Sequence, residues 1–236
     1  MRKIIFIVLM SLGINAAHAQ SINGAWKRDL DTAVQYITII DDYFSTATFD
    51  VTHKKFISTR GGTAQLLIGI PPASSTMSGV IEFNTANRAE VKSTYSYGVV
   101  IKGKKLILPV DGISKEWERV DEGKDALSGN WKITGREQDG KIVAMRPGAR
   151  KTIKILSGTR FQWAAINSET GEFFGTGGGN YSFKDGKYTE NIEFFSRDSS
   201  RVGASLSFDA ALKEGKWHHS GLSSKGDKIY EIWERK

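Results

Sequence analysis

The chain contains no cysteine. This absence excludes disulfide bonds, a lipid anchor on an amino-terminal cysteine and metal sites built from thiolates. Long apolar runs are also missing, because the one near the amino terminus is shorter than the roughly 20 residues that a membrane-spanning helix needs. We therefore expect a protein without a transmembrane segment.

Residues 1–19 have the three parts of a secretory signal peptide. A basic start at residues 1–3 precedes an apolar stretch at residues 4–12 and an Ala-His-Ala sequence at residues 17–19. This order predicts cleavage after Ala19 and export, which without disulfides favours a bacterial periplasmic or secreted location. The formal net charge of +7 stays positive without the leader, so acidic oligosaccharides and other anionic partners are favoured.

Motifs for several common activities are missing as well. The sequence has no glycine-rich phosphate loop before a helix, no G-x-S-x-G element and no RNA-binding signature, so we expect no cofactor and no nucleic-acid partner. His218 and His219 are adjacent and would face opposite sides of a strand, which prevents them from chelating one metal ion together. We accordingly predict no metal site.

What the sequence does contain is a repeat. Gly-x-Trp-Lys occurs at residues 24–27 and again at residues 129–132, and Trp-Glu-Arg occurs at residues 117–119 and 233–235. Each pair of motifs opens and closes a segment of similar length. The chain is therefore interpreted as two copies of one structural unit.

Both copies consist of short runs rich in β-branched and aromatic residues, separated by Gly, Asp and Pro turns. Such runs predict antiparallel strands, and Asp185-Gly186 predicts a tight hairpin. Many short antiparallel strands indicate a sandwich or a barrel. We predict an all-β protein with two tandem compact antiparallel β-barrels, at residues 21–121 and 127–236.

The ends of each copy explain how a barrel could close. A tryptophan on the first strand and an arginine on the last can stack only if those strands are neighbours, which pairs Trp26 with Arg119 and Trp131 with Arg235. This arrangement resembles the lipocalin-like, or calycin, proteins. The units are shorter than a standard lipocalin and lack its carboxy-terminal helix. More loosely, the chain resembles small secreted lipocalin-like proteins of bacteria that break down polysaccharides.

The two copies differ in the residues that could perform chemistry. The N-terminal copy has one histidine, His53, in what is interpreted as a solvated turn, and we expect this copy to be a scaffold or an accessory module. In the C-terminal copy Tyr188, Glu190 and Phe194 would share one strand face, and either His218 or His219 must point into the barrel. The predicted catalytic residues are His218, His219, Tyr188 and Glu190. The predicted substrate-binding residues are Arg197, Arg160, Asn191, Trp163, Trp217 and Tyr230.

Three functions remain open at this point. The first is a dehydratase or lyase that acts on uronic-acid oligosaccharides by β-elimination, with a histidine as base, an arginine or asparagine on the carboxylate and a tyrosine as acid. The second is a lipocalin-like protein that binds a small apolar or carbohydrate ligand without catalysis. The third is an interaction module with filled barrels. A cavity that carries histidine, tyrosine, arginine and glutamate together would favour the first, one with only aromatic and aliphatic residues the second, and a filled core in both copies the third.

Overall fold

The computed structural model describes residues 21–69, 75–110, 113–223 and 225–236. The predicted signal peptide and its cleavage site lie outside these residues. The described chain is almost entirely strand, with two short 3-10 turns at Arg88–Glu90 and Ser199–Arg201. None of its helices is long and apolar enough to cross a bilayer.

The described residues of the N-terminal unit form nine strands. They are β1 (Gly24–Asp29), β2 (Val34–Ile40), β3 (Tyr43–Asp50), β4 (Lys55–Thr63), β5 (Gln65–Leu67), β6 (Ser75–Asn84), β7 (Thr94–Lys102), β8 (Lys105–Val110) and β9 (Ile113–Arg119). Eight of them, β1–β4 and β6–β9, pair in an antiparallel ring, and β5 lies beside β6. The seam between β1 and β9 is short, because only two residue pairs join these strands.

The C-terminal unit repeats this order. Its strands are β10 (Gly129–Gln138), β11 (Lys141–Ala144), β12 (Arg150–Leu156), β13 (Arg160–Asn167), β14 (Phe173–Lys184), β15 (Lys187–Phe195), β16 (Ser205–Lys213), β17 (Lys216–Leu222) and β18 (Lys228–Arg235). β10 pairs with both β12 and β18, which closes an eight-stranded antiparallel barrel with β11 attached outside. The all-β prediction is confirmed, with one closed barrel and one ring of paired strands.

The predicted contact between tryptophan and arginine closes both units. Trp26 lies opposite Arg119, and Trp131 lies opposite Arg235. The guanidinium carbon of Arg119 is 3.9 Å from the centre of the Trp26 ring, and that of Arg235 is 4.9 Å from the Trp131 ring. Both indoles are buried. The first and last strands of each unit are therefore joined by the same contact.

Tight turns are supplied by the residues that the sequence suggests. Asp185 and Gly186 have φ angles of 51° and 73°, which is the left-handed conformation that a two-residue hairpin between β14 and β15 requires. A second position between β14 and β15 also requires glycine. At Gly179 a Cβ atom would lie 1.9 Å from the backbone oxygen of Asn191, so only glycine fits beside the register shift there.

The two units pack against each other through a buried apolar face. Tyr43 and Phe83 of the N-terminal unit form one cluster with Ile153, Ile155 and Ile166 of the C-terminal unit. Since neighbouring residues of a strand face opposite sides, burying Ile153 and Ile155 at the junction turns the residue between them into the barrel. That residue is Lys154.

Candidate functional site

The C-terminal barrel encloses a cavity of about 250 Å³. Its walls combine charged and aromatic side chains. The polar lining includes Arg136, Lys154, Glu190, His219 and Glu231, together with Thr152, Arg201 and Ser223. The aromatic lining consists of Trp163, Phe195, Phe208 and Trp233. The cavity argues against a filled core, and it has the histidine, arginine and glutamate expected for catalysis but no tyrosine in its lining.

Lys154 is the central cation of the cavity. Its ammonium donates to Glu190 Oε1 at 2.7 Å, and the Tyr188 hydroxyl donates to the same oxygen at 2.9 Å. The Nζ atom also lies 5.2 Å from the ring centres of both Trp217 and Trp233. Carboxylate and aromatic faces together replace the water that a lysine loses on burial. Burial and the nearby Glu190 charge raise the pKa of Tyr188 well above its usual value.

His219 is the histidine that points inward, and only 2% of it is exposed. Its ring packs against Phe208, with 4.2 Å between the ring centres. Nδ1 lies 3.5 Å from Glu231 Oε2, and within the described chain neither ring nitrogen makes a hydrogen bond. Burial lowers the pKa of His219, and the positive charge of Lys154 acts in the same direction. The carboxylates of Glu231 and Glu190 act in the opposite direction, but burial has the largest effect, so the neutral imidazole is favoured.

Glu231 is the second buried carboxylate of the cavity. Its Oε1 accepts a hydrogen bond of 2.9 Å from Arg136 Nη2. Burial by itself would raise the pKa of Glu231, but the interaction with His219 and the charges of Lys154 and Arg136 outweigh burial and lower the pKa to about 2. Glu231 is therefore ionised at neutral pH.

Several residues predicted from the sequence meet at this cavity. His219, Glu190 and Trp163 line it directly. Tyr188 and Trp217 are fully buried behind the lining, where Tyr188 bonds Glu190 and both aromatic rings face Lys154. These five residues form one connected group.

Another part of the predicted set lies elsewhere. Nδ1 of His218 lies 2.8 Å from the Tyr230 hydroxyl oxygen, and this contact is outside the cavity. Of the two histidines, His219 is therefore the one that faces inward. Asn191 donates to Asn180 at 2.8 Å. Arg197 is exposed in the segment that follows β15. None of these four predicted residues, His218, Tyr230, Asn191 and Arg197, lines the cavity.

Arg160 belongs to the junction between the units. Both of its terminal nitrogens donate to Glu193 at 2.7 Å, and its guanidinium carbon lies 3.8 Å from the ring centre of Tyr36. Because Tyr36 comes from the N-terminal unit, this contact helps to hold the two units together. Arg160 is therefore occupied by a structural contact rather than pointing into the cavity.

One strand changes face in a way that the sequence pattern did not predict. The alternation placed Phe194 on the same face as Tyr188 and Glu190. The register shift between Gly178 and Gly179 inserts an extra residue in β15, so Phe195 lines the cavity and Phe194 faces outward. Phe194 stacks on Phe49 of the N-terminal unit at 4.9 Å. This is a correction to the predicted strand face.

Sequence reasoning missed Lys154, Arg136 and Trp233 as cavity residues. A single lysine between two isoleucines was the available signal, since an apolar strand rarely buries an unpaired charge. The signal could not be used without knowing that the isoleucines pack against a second unit. For Glu231 on β18, too, the sequence alone does not show whether the side chain faces the cavity or the solvent.

Neither the models of known protein families nor the curated proteins include a match to this chain. The likeness to calycin proteins therefore depends on the closed barrel and on its contact between tryptophan and arginine.

Proposed function

We propose that the C-terminal barrel is a binding site for one small polar ligand, and that His219 is the residue that recognises it. The observation that carries this proposal is a buried imidazole in the cavity wall whose Nε2 has no partner among the described residues, while its Nδ1 has only the contact of 3.5 Å to Glu231. Leaving a buried polar atom unpaired costs free energy, so such an atom is expected to have a task. A ligand that forms a hydrogen bond with Nε2 would satisfy it.

The cavity limits the chemistry of that ligand. Its volume of about 250 Å³ is slightly below the 300–1,000 Å³ that is typical of ligand pockets, which suits a single ring. Trp163, Phe195 and Trp233 offer flat apolar walls on which a sugar or a planar ring can stack. A neutral histidine both donates and accepts, which matches a hydroxyl group. A single sugar unit meets these requirements. If the protein is exported from a bacterium, as the signal peptide predicts, a uronic acid is one such sugar.

Binding is tested with two neighbouring histidines. Glucuronate, galacturonate and glucose are titrated into the protein while tryptophan fluorescence is followed, since Trp163 and Trp233 line the cavity. Removing one partner of a buried hydrogen bond costs about 1–3 kcal/mol, so His219→Ala is expected to weaken binding by roughly 5- to 150-fold.

The control for this test is His218→Ala, which removes the adjacent side chain outside the cavity. It should leave affinity unchanged. If both variants fold and bind these sugars as tightly as the wild-type protein does, the site is not at His219.

Catalysis by β-elimination is a second candidate, favoured by the neutral His219 beside two cations. In this reaction His219 would take the proton next to the carboxylate, Lys154 or Arg136 would neutralise the carboxylate, and the bond to the leaving oxygen would break. Tyr188 is behind the lining and Tyr230 is outside it, so His219 would itself return the proton to the leaving oxygen.

The enzyme and the binding protein are distinguished by one assay. Acidic oligosaccharides are incubated with the protein while the ultraviolet absorbance of an unsaturated uronate is followed. Catalysis predicts a rise in absorbance that falls by about 10²–10⁴ in rate for His219→Ala. Binding of these sugars with no absorbance change would eliminate the lyase and leave the binding function.

A further inference from the structure

The N-terminal unit contains a cavity of its own, of about 350 Å³. Its apolar walls include Phe44, Met77 and Trp117, all part of the main core of this unit. Arg60, Tyr97 and Glu90 form a polar end, with Asn84 and Asn87 beside Glu90. The expectation that this unit is only a scaffold is therefore too simple, because an acid, a base and aromatic rings do meet inside it.

Arg60 is held at that polar end by a set of contacts. Its Nη2 atom donates to the Tyr97 hydroxyl at 3.0 Å and lies 3.2 Å from Glu90 Oε2. The guanidinium carbon is 6.0 Å from the ring centre of Phe44 and 5.9 Å from that of Tyr95. Three rings and one carboxylate thus fix the plane and the position of the guanidinium group.

This arrangement leaves hydrogen-bond donors without acceptors. Arg60 Nε is buried and has no hydrogen-bond partner in the described part of the chain. The Tyr97 oxygen already accepts from Arg60, so the Tyr97 proton remains available to donate. Glu90 is engaged by the side-chain amides of Asn84 and Asn87, at 3.1 and 3.2 Å. The polar end therefore offers donors to a molecule that brings an acceptor.

We propose that the N-terminal cavity binds a small amphipathic carboxylic acid. The carboxylate accepts from Arg60 Nε and from the Tyr97 hydroxyl, and the apolar body packs against Met77 and Trp117. A guanidinium group presents donors in a planar fork that fits a carboxylate, and its delocalised charge tolerates partial burial among aromatic rings. This site is independent of the one at His219, because the two cavities lie in different units and share no lining residue.

The test uses 3-phenylpropionate as the probe and 3-phenylpropanamide as its neutral counterpart, with affinities measured by calorimetry on the full chain. The wild-type protein is expected to bind the acid at least tenfold more tightly than the amide. Arg60→Gln should weaken acid binding tenfold or more and leave amide binding within about twofold, where tenfold corresponds to 1.4 kcal/mol.

Two further variants keep the result clear. Tyr97→Phe removes one hydroxyl, keeps the ring and should weaken acid binding by a smaller factor. His219→Gln changes the other cavity and should leave acid binding unchanged. The proposal is overturned if the acid does not bind at millimolar concentration, if acid and amide bind equally, or if Arg60→Gln and Tyr97→Phe both fold and bind like the wild-type protein.

Discussion

The two units of this protein share a strand order and differ in what the matching interior positions carry. Ile37 lies opposite Trp26 in the N-terminal ring, and Lys154 lies opposite Trp131 in the C-terminal barrel. Leu108 occupies the position on β8 that His219 occupies on β17. The N-terminal ring has apolar residues at the positions where the C-terminal barrel has a charged lysine and a titratable histidine.

Comparing the two units distinguishes contacts that both of them share from contacts that only one of them has. Both units keep the contact between tryptophan and arginine, so that contact belongs to closure. Only the C-terminal barrel buries Lys154 with Glu190, and a buried ion pair is weak evidence for stability because desolvation offsets its attraction. The N-terminal unit closes its ring with Ile37 in that position. This contrast is the reason that we propose a ligand, and not folding, as the role of the charges in the C-terminal cavity.

The largest expected effect comes from breaking this buried pair. Glu190→Gln leaves the Lys154 ammonium buried without its counter-charge, which should cost about 3–5 kcal/mol in the free energy of unfolding. Combining it with Lys154→Ile, which copies Ile37, should recover most of the loss. Urea unfolding followed by tryptophan fluorescence measures both variants.

An exposed pair provides the control for this experiment. Lys187 and Asp209 are 2.6 Å apart, but both side chains are largely exposed. Lys187→Ala should leave the unfolding free energy unchanged within error, because solvent screens such pairs. A Glu190→Gln protein as stable as the wild-type protein would show that the Lys154 charge is not buried as the packing implies.

A smaller effect is expected from the arginines that close each unit. Arg119 lies 3.9 Å from the Trp26 ring and donates to the backbone oxygens of Ser21 and Asn23 at 2.6 and 3.0 Å. Stacking of a cation on a ring is worth roughly 0.5–2 kcal/mol. Arg119→Gln should therefore lower the free energy of unfolding by an amount near the upper end of that range.

Arg235 is the matched comparison. It lies 4.9 Å from the Trp131 ring and donates at 3.4 Å to Ala126. Arg235→Gln should therefore lower the free energy of unfolding by about 0.5 kcal/mol, which is near the lower end for such contacts. Denaturant unfolding of the two variants gives the order, and a larger loss for Arg235→Gln would contradict the closer stacking in the N-terminal unit.

The smallest effect is expected from the protonation of His219, which contributes one part of the pH dependence of stability. Burial lowers the pKa of His219, so the unfolded chain binds a proton more readily than the folded chain does. Stability should therefore fall as the pH drops below the ordinary histidine pKa of about 6.5. His219→Leu, which copies Leu108, should remove this part of the slope, whereas His218→Ala should keep it.

Glu231 adds a second acid-dependent contribution. Its pKa is lowered to about 2, so the stability that it provides is present above the ordinary glutamate pKa and is lost as the pH falls towards 2. Urea unfolding at a series of pH values separates the pH range in which His219 acts from the lower range in which Glu231 acts. An unchanged slope between pH 7 and 5 in His219→Leu would mean that His219 is not buried in its neutral form.

Much of the fold could be predicted from local patterns. The repeated motifs identified Trp26 and Trp131 and the arginines that stack on them, because closure depends on residues at fixed positions in the first and last strands. The Asp185-Gly186 turn was predicted because few residues adopt its left-handed conformation. The candidate site was predicted only in part, since His219, Glu190 and Trp163 were named but Lys154 and Arg136 were not.

The sequence by itself determined the all-β class, the two copies, the closing residues and the strands that carry the site. The tertiary structure decided which face of each strand is inside. Alternation assigns residues to two faces but cannot say which is the interior when both faces are covered. Lys154 faces the cavity because Ile153 and Ile155 pack against the N-terminal unit, and Phe195 replaces Phe194 in the cavity wall because of the register shift at Gly179.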